Sequence, residues 1–202
     1  MLIKQDKIWG KVSDDFAADS DENNQNQVSA LNNRLYFYSE VTRPECLILN
    51  KNIQALSDSL YNFSNMYGVE SPAIKLHINS YGGSVFAGLS SVDYIASSQA
   101  PVHSVVEGCA ASAATLMSVV AERRYIKKNA YMLIHQLSSG MWGKYEELKD
   151  EMENCEALME SIKKIYNEHA KIPKRKLNEI LKRDLWLDAQ TCLDYGLVDE
   201  II

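Results

Sequence analysis

The chain predicts an α/β protein with a largely parallel sheet, and two patterns carry that expectation. Short strand-type apolar runs recur along the sequence, and stretches with helical apolar spacing separate them. Strands that alternate with helices need crossover connections, which set neighbouring strands parallel. A third observation bounds the size. At 202 residues, 46% hydrophobic and 24% charged, the chain suits one domain with a good core and leaves a second one cramped.

The N-terminal segment, residues 1–33, stands apart. Lys4, Lys7 and Lys11 face Asp6, Asp14, Asp15, Asp19, Asp21 and Glu22, a net of −3 and half of the chain's −6. From Asp19 to Gln27 there is no apolar residue, so the stretch buries too little surface to offset its ordering entropy. It is expected as a mobile loop or arm, with a disordered tail as the alternative.

From Arg34 the alternating units begin. Leu35-Tyr36-Phe37-Tyr38 reads as a strand with aromatic side chains, and a helical pattern follows around Ile53, Leu56 and Leu60. Ile74 to Ile78 alternates apolar and polar, which sets Lys75 and His77 on a solvated face. The turn cluster Asn79-Ser80-Tyr81-Gly82-Gly83 ends that strand, and Val85, Leu89, Val92 and Ile95 then recur at helical spacing. Val102 to Val106 is a strand punctuated by Gly108, and Ala110 to Ala121 reads as a buried helix of small residues. Tyr125-Ile126 and Tyr131 to Ile134 are further strands.

The longest element runs from about Lys144 to His169. Leu148, Met152, Cys155, Met159, Ile162 and Tyr166 form one apolar seam, and Glu146 and Glu147 suit the first turn of a helix. At 1.5 Å per residue the helix spans about 35–40 Å, more than a compact domain of this size needs. Pattern alone leans to a core helix and leaves open a protruding one used for self-association.

Charge and motifs exclude several functions. The acidic balance argues against nucleic-acid binding, and no apolar run approaches a membrane span. Met1 to Gly10 has no apolar signal region, and the widely spaced Cys46, Cys109, Cys155 and Cys192 form no C-x-x-C pair, so free thiols and a cytoplasmic setting are expected. No phosphate loop, H-E-x-x-H or G-x-S-x-G is present, so neither nucleotide, metal nor an α/β-hydrolase elbow is signalled.

Three polar residues in unusual places remain. Ser112, inside Gly108-Cys109-Ala110-Ala111-Ser112, is either a small packing residue or a nucleophile at a helix N-terminus. His135 ends an apolar strand and is the best base of the four histidines, or a satisfied structural one. Asp184, in Lys182-Arg183-Asp184, is either a surface ion-pair partner or the carboxylate that orients a histidine. Gly82-Gly83 is a turn, or a main-chain donor to a substrate carbonyl.

Together these segments resemble the ClpP family, the proteolytic subunits of the ATP-dependent Clp protease. Ile78 to Val85 (INSYGGSV) resembles the family's I-N-S-P-G-G turn, Gly108 to Ser112 (GCAAS) its G-x-A-A-S segment, and Met132 to Gln136 (MLIHQ) its M-I-H-Q segment. Lys182-Arg183-Asp184 with Tyr195-Gly196-Leu197-Val198-Asp199 resembles its E-R-D … Y-G-L-V-D ending. The resemblance covers Arg34 to the C-terminus.

It implies Ser112 as nucleophile, His135 as general base and Asp184 as its orienting acid. Gly83 and Ala113 supply oxyanion-hole N–H groups, and Gly82, Gly83 and Ser84 bind substrate. The implied fold is the ClpP/crotonase-like spiral of βαβ units with the long helix, about 144–169, as a protruding handle. Residues 1–33 become an axial-loop-like segment and 34–202 the serine peptidase domain. The implied assembly is a homo-oligomer of two stacked heptameric rings. Unfolded polypeptides reach it from a separate AAA+ Clp unfoldase (ClpX- or ClpA/C-like) that uses the ATP; the chain needs no cofactor or metal of its own.

The sequence departs from the family pattern in places. Tyr81 and Leu137 replace prolines, Ala113-Ala114 stand for Met-Gly, and the interval from serine to histidine is two residues shorter. Residues 1–33 do not match the axial-loop pattern well. Alternatives are a phage-type relative that trims capsid proteins and a catalytically silent ring subunit, which an intact Ser112/His135/Asp184 set counts against. A crotonase-type acyl-CoA enzyme shares the fold but not the full serine triad.

Overall fold

The computed structural model describes residues 28–202; the acidic residues 1–27, including the polar stretch 19–27, lie outside the described residues. Eight strands form one sheet: β1 (Val28–Leu31), β2 (Arg34–Phe37), β3 (Ile74–Ser80), β4 (Val102–Ala111), β5 (Arg123–Ile126), β6 (Tyr131–Leu133), β7 (Leu187–Asp188) and β8 (Glu200–Ile201). Six helices accompany them: α1 (Arg43–Tyr67), α2 (Val85–Ala96), α3 (Ala113–Val119), α4 (Tyr145–His169), α5 (Lys174–Leu181) and α6 (Ala189–Asp194). The order β1-β2-β3-β4-β5-β8 is parallel from β2 onward, while β1 and β7 attach antiparallel. The α/β class with parallel crossovers is therefore what the chain adopts.

Residues 28–31, grouped above with the N-terminal segment, pair with β2 from Val28↔Phe37 to Leu31↔Arg34. Val28 buries its side chain against the core, which is why this end of the segment joins the sheet. The alternation of β3 sends Ile74, Leu76 and Ile78 into the core with no exposure. His77 lies on the opposite face, yet it is buried rather than solvated. Tyr36 stacks on its ring at 4.6 Å and Glu107 Oε1 lies 2.9 Å from its Nδ1. The Glu107 carboxylate also accepts a hydrogen bond from the Tyr38 hydroxyl.

Two elements differ from the sequence pattern in a way that positions the site. β4 continues through Gly108 to Ala111, and α3 starts only at Ala113. The alanines favour a helix locally, but Cys109, Ala110 and Ala111 pair with Tyr131, Met132 and Leu133 of β6, and that ladder prevails. In α4 the seam divides. Ile162 and Tyr166 are buried and Met159 packs against the core, whereas Tyr145, Leu148 and Met152 stay exposed. α4 packs chiefly on α3, while Met159 accepts from the Leu137 N–H at 3.0 Å and the His169 carbonyl accepts from Arg124 of β5.

Among the described residues no helix is long and apolar enough to cross a membrane, and no group of three or more His, Cys, Asp or Glu side chains is placed to hold a metal. The four cysteines are free thiols, three of them buried. Burial pushes the Cys46 and Cys109 thiols up and that of Cys192 to about 12, so these behave as packing groups.

Candidate active site

The serine owes its position to an irregularity in β4. β3 and β4 pair evenly from Ile74↔Val102 to Ile78↔Val106, but then Ser80 opposes Ala110. β4 thus carries two extra residues around Gly108 and bulges, which turns its end away from β5 and onto β6. Ser112 follows immediately, half-buried, at φ 54 and ψ −127. Such a conformation costs a non-glycine residue about 1–3 kcal/mol and persists only where its surroundings hold it.

Those surroundings are visible. The Ser112 N–H donates to the Leu133 carbonyl at 2.8 Å, and its own carbonyl accepts from the Thr115 N–H at 3.0 Å and the Thr115 hydroxyl at 2.6 Å. The hydroxyl of buried Tyr166 lies 2.5 Å from Thr115 Oγ1, so α4 supports the first turn of α3. Ala113 opens that helix, where a backbone N–H has no carbonyl partner within the helix.

The glycine pair approaches from β3. A Cβ on Gly82, at φ +93, would lie 2.6 Å from the Ala111 carbonyl oxygen and 2.7 Å from Ser112 Cβ. Only glycine lets the turn pass this close to the serine. On Gly83 a Cβ would meet the Val41 carbonyl oxygen at 2.5 Å. The turn is pinned there: the Val41 N–H donates to Gly82 O at 2.7 Å, and the Ser84 N–H to Val41 O at 2.8 Å. Among the described residues the exposed Gly83 N–H has no hydrogen-bond partner. Ser84 uses its hydroxyl to cap α2, accepting from the Ala87 N–H at 3.4 Å.

His135 arrives on the neighbouring strand. Leu133 of β6 is the ladder partner of Ala111, so the chain one residue past Ala111 and two past Leu133 brings Ser112 and His135 to the same end of adjacent strands. The Gln136 N–H donates to the Leu181 carbonyl at 2.7 Å, fixing the loop after His135 to α5. His135 Nδ1 lies 2.9 Å from Asp184 Oδ1, with the histidine side chain 17% and the aspartate side chain 74% exposed. A proton on Nδ1 satisfies this bond and leaves Nε2 as the free acceptor. Among the described residues Ser112 Oγ is not hydrogen-bonded to His135, a contact that in such sites commonly tightens only with substrate in place.

All the residues singled out in the sequence therefore gather at one end of β4 and β6 or in the elements that touch it. Several supports were not legible there. Thr115 and Tyr166 lie within regular helical patterns that read as core. Tyr81 and Trp186 pack edge to face, with ring centroids 6.3 Å apart and planes at 83°. The replacement of proline by Tyr81 was their one signal.

Serine acyl transfer on a crossover α/β sheet is the class of chemistry this arrangement fits. The chain belongs to the Clp protease family, whose model matches residues 45–202. A Deinococcus radiodurans protein named ATP-dependent Clp protease proteolytic subunit is 30% identical over 131 residues, 64% of this chain and 64% of that protein. A Treponema denticola protein named ATP-dependent Clp protease proteolytic subunit 2 is 34% identical over 130 residues, 63% of this chain and 65% of that protein. The matches thus span just under two thirds of the length of these relatives.

Proposed function

We propose that the chain is a serine endopeptidase subunit of the Clp type, acting on unfolded polypeptides. The observation that carries this reading is the His135–Asp184 pair at 2.9 Å, set at the strand end beside a strained Ser112. Ser112 Oγ attacks the scissile carbonyl carbon and passes its proton to His135 Nε2. Asp184 holds the ring and stabilises the imidazolium that forms. The Gly83 and Ala113 N–H groups receive the negative oxygen, a contribution of about 3–4 kcal/mol per donor in comparable sites. His135 then returns the proton to the leaving amine, which departs and leaves an acyl-Ser112 ester. Water, deprotonated by His135, hydrolyses the ester and restores the serine. Gly82, Gly83 and Ser84 line the approach of the substrate main chain.

The same reading assigns residues 34–202 to the peptidase domain and residues 1–33 to an axial-loop-like segment. The uncovered half of the α4 seam, with Leu148 and Met152 exposed, supports the stacking of rings through this helix, and two heptamers are the expected count. ATP is used by a separate AAA+ Clp unfoldase, and four free cysteines suit the cytoplasm. A fluorophosphonate probe is expected to label the purified chain at Ser112 and to leave Ser112→Ala unlabelled; equal labelling of both removes the assignment. Degradation of a folded, tagged protein with and without a Clp ATPase and ATP tests the partner. Sedimentation tests the assembly, and a stable monomer under all conditions refutes it.

A further inference from the structure

On the face of the sheet away from the core lies a polar cluster that none of the steps above employs: Tyr36 of β2, Tyr38 just past its end, His77 of β3 and Glu107 of β4. His77 Nδ1 lies 2.9 Å from Glu107 Oε1, the Tyr38 hydroxyl donates to Glu107 Oε2, and the Tyr36 ring stacks on the imidazole with centroids 4.6 Å apart. Burial alone would raise the Glu107 carboxyl, but the bonds from Tyr38 and His77 outweigh it and hold it below the usual carboxylate range. Glu107 is therefore a pure acceptor, which puts the proton of this bond on His77 Nδ1. Burial, and then the carboxylate beside it, push the Tyr38 hydroxyl up to about 12, so that group stays a donor. His77 Nε2 is buried and, among the described residues, has no hydrogen-bond partner. An apolar ring would stack on Tyr36 without the cost of that unpaired nitrogen, so what the histidine adds is the bond from Nδ1.

Glu107 stands where β4 leaves its regular course. Val106 is paired with Ile78, and the next pair is Ala110 with Ser80, so Glu107, Gly108 and Cys109 together face the single residue Asn79. These residues are the bulge that carries the strand end onto β6 and brings up Ser112. Asn79 holds the far part of the bulge: a Cβ on Gly108 would lie 3.1 Å from its Oδ1, and Cys109 Sγ donates to the same oxygen at 3.7 Å. The near part is held through Glu107, whose carboxylate is tied to β3 by His77 and to the end of β2 by Tyr38. We propose that Glu107 is a positioning residue: clamped by His77 and Tyr38, it fixes the first residue of the bulge and with it the placement of Ser112 beside His135. It touches neither substrate nor the reacting atoms and acts through the β4 main chain. This rests on the peptidase reading above and adds to it a group five residues ahead of the nucleophile.

The test compares Glu107→Ala, Glu107→Gln and Tyr38→Phe with the parent chain. Thermal unfolding is recorded first; hydrolysis of a fluorogenic peptide and the rate of Ser112 labelling by a fluorophosphonate are then measured well below the melting range. Glu107→Ala is expected to lower kcat and the labelling rate about tenfold while KM stays within about twofold of the parent. Glutamine keeps both contacts, its carbonyl oxygen accepting from His77 and its amide donating to the Tyr38 oxygen, so Glu107→Gln is expected to retain most of the parent kcat. Tyr38→Phe removes one hydroxyl from an exposed ring, leaves the core intact, and is expected to lower kcat and labelling about twofold. Parent-like kcat and labelling in Glu107→Ala, even with a lowered melting temperature, overturn the positioning role, and so does an equal loss in Glu107→Gln. Where Glu107→Ala does not fold, Tyr38→Phe decides, and its parent-like kcat and labelling overturn the clamp. In each of these cases labelling of the parent at Ser112 upholds the peptidase. A parent chain that neither labels at Ser112 nor cuts any peptide overturns the peptidase reading, and the positioning role with it.

Discussion

Replacing Gly82 by alanine tests the closest approach in the site. The new Cβ would lie 2.7 Å from Ser112 Cβ and 2.6 Å from the Ala111 carbonyl oxygen, where ordinary contact begins at 3.4 Å. Neither neighbour is the free end of a flexible side chain. One belongs to the β4 main chain, and the other is fixed by the hydrogen bonds that hold Ser112 in its strained conformation. The turn or the serine must therefore yield by about 0.7 Å. At φ +93 the alanine also carries backbone strain of about 1–3 kcal/mol, and relief of the overlap adds a further ~1–3 kcal/mol. A total of about 2–6 kcal/mol lowers the melting temperature of a domain this size by about 4–24 °C. A displacement approaching 1 Å at a reacting atom lowers turnover by up to about 100-fold.

Thermal unfolding and steady-state hydrolysis of a fluorogenic peptide read the two effects separately. Gly140→Ala is the control, because a Cβ there meets nothing within 4 Å. It is expected to match the parent in both assays. A Gly82→Ala variant with parent-like melting and parent-like turnover would refute the close packing of this turn on the serine. Loss of stability with turnover intact would place the relaxation in the turn and exclude Ser112 from it.

Three further outcomes follow from the geometry. Asp184→Asn removes the acceptor that sets His135; with the carboxylate largely exposed, kcat is expected to fall about 10²–10³-fold rather than further, and an unchanged pH–rate profile with full kcat removes Asp184 from the site. Tyr166→Phe deletes the hydroxyl behind Thr115 and costs about 1 kcal/mol in urea unfolding; no loss would show that α3 is not held from α4. For Asp199, burial alone would raise the carboxyl, but the hydrogen bonds and charge of Arg124 outweigh it and hold it below the usual carboxylate range. A depressed group stabilises the fold above its unfolded value and loses that contribution as pH falls through its folded value. Asp199→Asn is thus expected to cost about 1–2 kcal/mol near neutral pH, with the deficit shrinking in acid; a deficit constant from pH 7 to pH 3 refutes the ion pair.

What the sequence disclosed and withheld divides along the range of the forces involved. The strand of alternating Ile74, Leu76 and Ile78, the turn at Gly82-Gly83 and the long seam of α4 are local patterns, and each appears where its period places it. The end of β4 is different. Ala110 and Ala111 favour a helix locally, and pairing with β6, some twenty residues onward, and with Ser80 of β3 holds them extended. His77 follows the same rule. Its alternation correctly assigns it to the face away from the core, but whether that face meets water depends on Tyr36 and Glu107 from two other strands.

The candidate site was legible because its residues interrupt apolar patterns: a serine at the head of buried alanines, a histidine at the end of a strand, a glycine pair after another. Its rigidity was not, since the restraints on Ser112 come from Leu133, Thr115 and Tyr166, and the last of these lies 51 residues beyond Thr115. The same helix that supplies Tyr166 leaves Leu148 and Met152 uncovered at its other end. One half of the seam thus supports the turn that follows Ser112, and the other half is uncovered. The exposed residues and the support of Ser112 lie on one helix, and Met159 between them accepts from the Leu137 N–H at 3.0 Å, two residues past His135.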